Sequence, residues 1–152
     1  MWKIGCTIFV VLVLCGCSAS LPFVMAEALP GSYELKGSGQ VALLTLNSDG
    51  TYTEIVRHGS GATETAKSNW KFERRSVVLE GFLIPAGLVP EGLFRFDDRE
   101  IGERTAQGTI KSDFSLSPET TLSGRVKLYV DPDRAPAFEK TAGRGTLNQR
   151  SR

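Results

Sequence analysis

Apolar residues at every second position restrict this chain more than any other feature. Ile110, Ser112, Phe114 and Leu116 alternate with Lys111, Asp113 and Ser115. Leu122, Gly124, Val126, Leu128 and Val130 alternate in the same way with Ser123, Arg125, Lys127, Tyr129 and Asp131. Successive side chains on a strand point to opposite faces, so a period of two gives each segment one packed face and one wet face. No stretch combines an apolar period of 3.6 residues with helix caps. The pattern predicts an all-β body, a small antiparallel β-barrel or barrel-like sandwich.

Turn chemistry supports that reading. Val41 to Leu46 and Thr51 to Val56 flank Asn47-Ser48-Asp49-Gly50, where Asp-Gly supplies the positive φ of a tight strand connection. A polar loop is expected over residues 58–65. After it, Trp70 and Phe72 share one face, and Ser76 to Glu80 reads as another strand. Phe94 and Phe96 flank Arg95. The run Phe82 to Phe94 is apolar but broken by Pro85, Gly87, Pro90 and Gly92, which disfavour a helix or central strand. Such a loop either covers the core or offers a lip to a partner or ligand, built from Phe82, Leu83, Ile84, Leu88, Val89 and Leu93.

All three cysteines, Cys6, Cys15 and Cys17, lie near the N-terminus, in or beside the oily run Ile8 to Leu14. That run follows Lys3 and is too short for a bilayer-spanning helix, so it reads as an export signal. No second ligand pair makes Cys15 and Cys17 a metal site. Leu14-Cys15-Gly16-Cys17 resembles the lipobox of bacterial lipoproteins, with Leu14 at −3, Gly16 at −1 and Cys17 at +1. Cys15 departs from the usual small or hydroxyl residue at −2. The resemblance implies cleavage before Cys17 and a lipid on its thiol. Ser18 at +2 is similar to Gram-negative sorting signals for the outer membrane's periplasmic leaflet. Cleavage after Val24-Met25-Ala26, giving a secreted or periplasmic protein, is the alternative.

These readings divide the chain into a signal (1–16), a lipid anchor and tether (17–30), a β-domain (31–140) and a disordered basic tail (141–152). The chain has 152 residues, with 18 Lys+Arg against 17 Asp+Glu. Losing Lys3 with a leader leaves 17 of each, so no basic domain suggests a nucleic-acid partner.

The remaining motifs offer little chemistry. Gly37-Ser38-Gly39-Gln40-Val41-Ala42 has the spacing of a dinucleotide loop, but a strand follows it where a helix is required. His58 is the only histidine, and Gly59-Ser60-Gly61 lacks the spacing of a nucleophile elbow, so His58 reads as a solvated loop residue. Asp97, Asp98, Glu100 and Glu103 alternate with Arg95, Arg99 and Arg104 as a solvated connection does. Asp131-Pro132-Asp133 lacks the glycine and terminal glutamate of a calcium loop.

The stretches "LLTLNSDGTYT", "NWKFE" and "VVLEG" are similar to the small lipocalin-like domains of bacterial lipoproteins and envelope proteins of unknown function. The resemblance covers roughly residues 31–80, and Ser68-Asn69-Trp70 stands where the lipocalin Gly-x-Trp would be. It implies a small lipocalin-like barrel. The expected role is non-enzymatic binding or structure, without cofactor or metal, and with the membrane and an envelope protein as partners. A carrier of a small apolar ligand and a small hydrolase using carboxylates remain the alternatives.

Overall fold

A computed structural model describes residues 24–37, 39–84, 95–96, 99–100, 102–131 and 134–141. Within them run β1 Gly31–Gly37, β2 Gln40–Leu46, β3 Thr51–Arg57, β4 Thr63–Glu73, β5 Ser76–Ile84, β6 Arg95–Phe96, β7 Arg99–Glu100, β8 Glu103–Arg104, β9 Ile110–Thr120, β10 Val126–Asp131 and β11 Arg134–Lys140. All pairings are antiparallel. β1 to β5 are successive neighbours. β5 then pairs with β9, β9 with β10, β10 with β11, and β11 with β1, so eight strands close a barrel. β8 flanks the start of β9, and β6 pairs with β7. Among the described residues no helix is long and apolar enough to cross a membrane.

The period of two sets the interior. Tyr33 and Leu35 of β1, Ala42, Leu44 and Leu46 of β2, Val77 and Leu79 of β5, and Leu128 of β10 all point inward and are buried. The centre is filled by rings. Phe82 stacks on Phe114 at 5.9 Å, meets the edge of Phe138 at 5.9 Å and lies 6.4 Å from Tyr52. Tyr52 anchors itself by donating its hydroxyl to the Glu80 carbonyl at 2.6 Å.

β5 changes phase partway. Its register with β9 shifts between Leu79 and Phe82, where Gly81 sits at φ 61°. The extra residue is a β-bulge, which reverses the inward parity. Val77 and Leu79 face in before it, and Phe82 and Ile84 face in after it. Phe82, Leu83 and Ile84 are therefore not loop residues; they complete a core strand.

Three other expectations change. Thr63, Glu64 and Thr65 belong to β4, and the polar loop shrinks to His58–Ala62, closed by the bonds His58 N–H to Ala62 O and Gly61 N–H to His58 O. Leu122 and Gly124 do not continue the β10 alternation. Thr121 to Arg125 form a turn in which Leu122 is fully exposed, because the Thr121 N–H bonds the Arg125 carbonyl and closes the chain on itself. Finally, the expected tether reaches into the body. Leu29 is 0% exposed, Val24 packs on the core, and Tyr33 donates its hydroxyl to the Leu29 carbonyl at 2.5 Å. Burial pushes the Tyr33 phenol up to about 12.

Antiparallel order fixes which turns share an end. One end holds the chain entry at Met25–Leu29, the β2–β3 turn, the Arg74–Arg75 turn, the Thr121–Arg125 turn and Thr141 after β11. The other holds His58–Ala62 and Thr105–Thr109.

Candidate functional site

The wall of the barrel splits between β4 and β5. β4 pairs with β3 from Thr51↔Asn69 to Arg57↔Thr63, but with β5 only from Trp70↔Leu79 to Glu73↔Ser76. Among the described residues, the first half of β4 and the last residues of β5 have no ladder between them. A cleft of about 580 Å³ occupies the gap, lined by Glu64, Ala66, Lys67, Gly81, Leu83 and Lys111 among others.

Two carboxyl groups substitute for the missing ladder. Glu54 lies on the inner face of β3 between Tyr52 and Val56, opposite the small Ala66 of β4. Past that alanine its Oε2 accepts the Leu83 N–H of β5 at 2.8 Å. Its Oε1 is buried without a partner among the described residues. Burial pushes the Glu54 carboxyl well above the usual range, the Leu83 bond offsets only part of that, and nearby Glu64 adds to the rise. The environment therefore favours the protonated acid.

Glu64 is treated in the opposite way. Its Oε2 accepts from the hydroxyl of fully buried Thr109 and lies 2.8 Å from His58 Nε2. Burial alone would raise its pKa, but bonds from Thr105, Thr109 and His58 outweigh that and hold it below the usual range. The cluster ties the β3–β4 turn to the β8–β9 turn across one end of the split. That second turn is pinned by Thr105 N–H to Thr109 O at 2.7 Å and by Arg104 Nη1 to Gly108 O at 3.1 Å.

His58 is therefore not a solvated loop residue; its side chain is only 9% exposed. Thr109 is not placed as the nucleophile of a triad built on it. The base of a triad takes the nucleophile's proton on one ring nitrogen while a carboxylate orients the other. Here Glu64 and Thr109 both face Nε2, at 2.8 and 3.5 Å, and the Thr109 hydroxyl donates to the carboxylate. No cluster of three His, Cys, Asp or Glu among the described residues could hold a metal ion.

Of the residues singled out from sequence, Phe82, Leu83 and Ile84 lie together in β5, buried, with Leu83 reaching the cleft. Cys17, Leu88, Val89 and Leu93 lie outside the described residues, as do the side chains of Asp97, Asp98 and Glu100. Sequence reading missed Glu54 and Glu64. The signal for Glu54 was its parity with Tyr52 and Val56. The signal for Glu64 was its pairing with Val56 in a hairpin longer than the polar residues suggested.

Fold and site define a class: a closed eight-stranded antiparallel barrel with one split wall, bridged by the buried carboxyl of Glu54 and the half-buried one of Glu64. Searches of protein-family models, curated proteins and solved structures with this chain find no match.

Proposed function

We propose that the chain is a bacterial envelope lipoprotein, held at the periplasmic face of the outer membrane by lipid on Cys17. Its barrel serves in non-enzymatic binding or as a structural element. The observation that carries the non-catalytic reading is the use made of the inner carboxyls. Glu54 is closed off by burial and carries a backbone N–H of β5, and Glu64 is engaged by Thr109 and His58, so both serve to hold the wall together, which supports a structural use over acid–base work. The ring cluster of Tyr52, Phe82, Phe114 and Phe138 weighs against a carrier that encloses an apolar ligand at the barrel centre. The cleft in the wall favours a second reading, in which binding takes place at the split and not inside the barrel.

Labelled palmitate incorporation and membrane fractionation of Cys17→Ser test the anchor. The variant should lose the label and become soluble, with its β-type circular dichroism unchanged. Retention in the membrane to the same extent as wild type would sink the lipoprotein assignment.

A further inference from the structure

We propose that the entry end of the barrel is a membrane-contacting face, with Leu122 and Met25 seated at the headgroup level of the bilayer. The proposal rests on the lipid anchor at Cys17 and adds an orientation that the anchor alone does not fix.

Single exposed apolar residues are ordinary on protein surfaces. Their placement here is not. Among the described residues the large apolar side chains left exposed are Met25, at 64%, and Leu122, at 101%. Both lie at the end where the chain enters. Leu122 sits at the tip of a tight turn between Thr121 and Ser123, where a polar residue would serve the turn better. The segments carrying the two residues adjoin, because Ala28, Gly124, Arg125 and Lys140 line one cleft of about 360 Å³.

The entry segment is fixed to this end. Lys140 Nζ donates to the Ala28 carbonyl at 2.7 Å and stands 5.6 Å over the Tyr33 ring, while Leu29 is buried. From Cys17 to Val24 the chain can span at most about 25 Å, even fully extended. Running alongside a barrel about 20–30 Å tall would consume that whole length. The entry end is therefore the one that a lipid on Cys17 holds close to the bilayer, at a high effective concentration. Ile84, from which the apolar residues 85–94 continue, is at the opposite end.

Charge at the turn tips suits a headgroup layer without making a strongly basic face. Arg74 and Arg125 stand against Glu27 and Asp49, all exposed. Paired with an apolar tip, guanidinium groups can reach lipid phosphates while Leu122 enters the boundary below them. The contact is shallow and depends on the anchor to be maintained.

The test uses full-length lipidated protein in vesicles of phosphatidylethanolamine and phosphatidylglycerol. Ser123→Cys at the entry end and Ser60→Cys at the far end, both exposed positions, each carry an environment-sensitive fluorophore. Brominated lipids report depth. The Ser123 label should shift to the blue and be quenched, and the Ser60 label should do neither. Adding Leu122→Asp should remove most of the quenching while the vesicles still float with protein attached. Equal quenching of the two labels, stronger quenching at Ser60, or no effect of Leu122→Asp would overturn the orientation. Protein that fails to float with vesicles at all would instead overturn the anchor, so the two failures are distinguishable.

Discussion

From Leu46↔Tyr52 to Val41↔Arg57, β2 and β3 stay in register along their whole shared length. β4 and β5 part after Trp70↔Leu79. The first hairpin is closed by a turn in which Asp49 Oδ1 accepts the N–H and the hydroxyl of Thr51, and Gly50 sits at φ 84°. In the second, backbone pairing gives way to side chains: Glu54 bonds the Leu83 N–H, while His58, Glu64 and Thr109 bridge the far end. A strand ladder satisfies its polar groups at little cost. A side-chain bridge must bury carboxyls to do the same, and it becomes sensitive to pH. The split wall should therefore match the complete wall in apolar core energy and differ from it in polar chemistry.

The largest effect tests the first half of that claim. Phe82→Ala, at the split, should lower stability by about 3–5 kcal/mol, and Leu44→Ala, in the complete wall, by about 2–5 kcal/mol. Chemical denaturation measures both. A Phe82→Ala loss under about 1 kcal/mol would mean that the barrel is open behind the split and that the two walls do not share one core.

Thr109→Val comes next. It removes the buried hydroxyl that donates to Glu64 and should cost about 1–3 kcal/mol at neutral pH. Glu64 is held below the usual carboxylate range, so its contribution is present above that range and lost as pH falls through the lowered pKa. The wild-type advantage over Thr109→Val should therefore shrink in acid. A difference that does not change between neutral pH and pH 3 would show that the hydroxyl acts by packing alone. In the complete wall, Gly50→Ala should cost about 1–2 kcal/mol through strain at positive φ, with no pH dependence. Melts at two pH values would reveal an error.

The two walls also differed in how far the sequence exposed them. Asp49-Gly50 between apolar runs announced the β2–β3 hairpin through its turn chemistry, and alternation from Ile110 to Leu116 announced β9 because its inward positions are apolar or small. The split concealed itself. Thr63, Glu64 and Thr65 read as loop because β4 turns polar side chains toward its neighbours there. Glu54 faces in while apolar Ile55 faces out, the reverse of what hydropathy alone would suggest. Parity along β5 was hidden by the bulge at Gly81, which makes Leu79 and Phe82 face the same way. The split as a site could not be read, because it is built from what strands β3, β4, β5 and β9 bring together. Its residues are spread from Glu54 to Lys111, with no motif spacing between them.

The smallest effect near pH 5 is the most informative about the split, and it concerns Glu54→Gln. The amide keeps the shape and still offers an oxygen to the Leu83 N–H, so in mild acid the variant should lie within about 1 kcal/mol of wild type. It cannot ionise. Wild-type Glu54 has a folded pKa raised above its unfolded value by burial. The stability it contributes is full below the ordinary carboxylate pKa and declines as pH rises toward the raised value, with a limiting slope of about 1.4 kcal/mol per pH unit. Glu54→Gln should remove that decline, so its stability relative to wild type should improve as pH rises from the ordinary carboxylate range toward the raised pKa. On the outer face of β3 no carboxyl is buried, and Thr53→Val there should leave the pH profile as it was. If the difference between Glu54→Gln and wild type stays constant across that range, Glu54 keeps one protonation state on folding, and the split wall is held by geometry without an electrostatic cost.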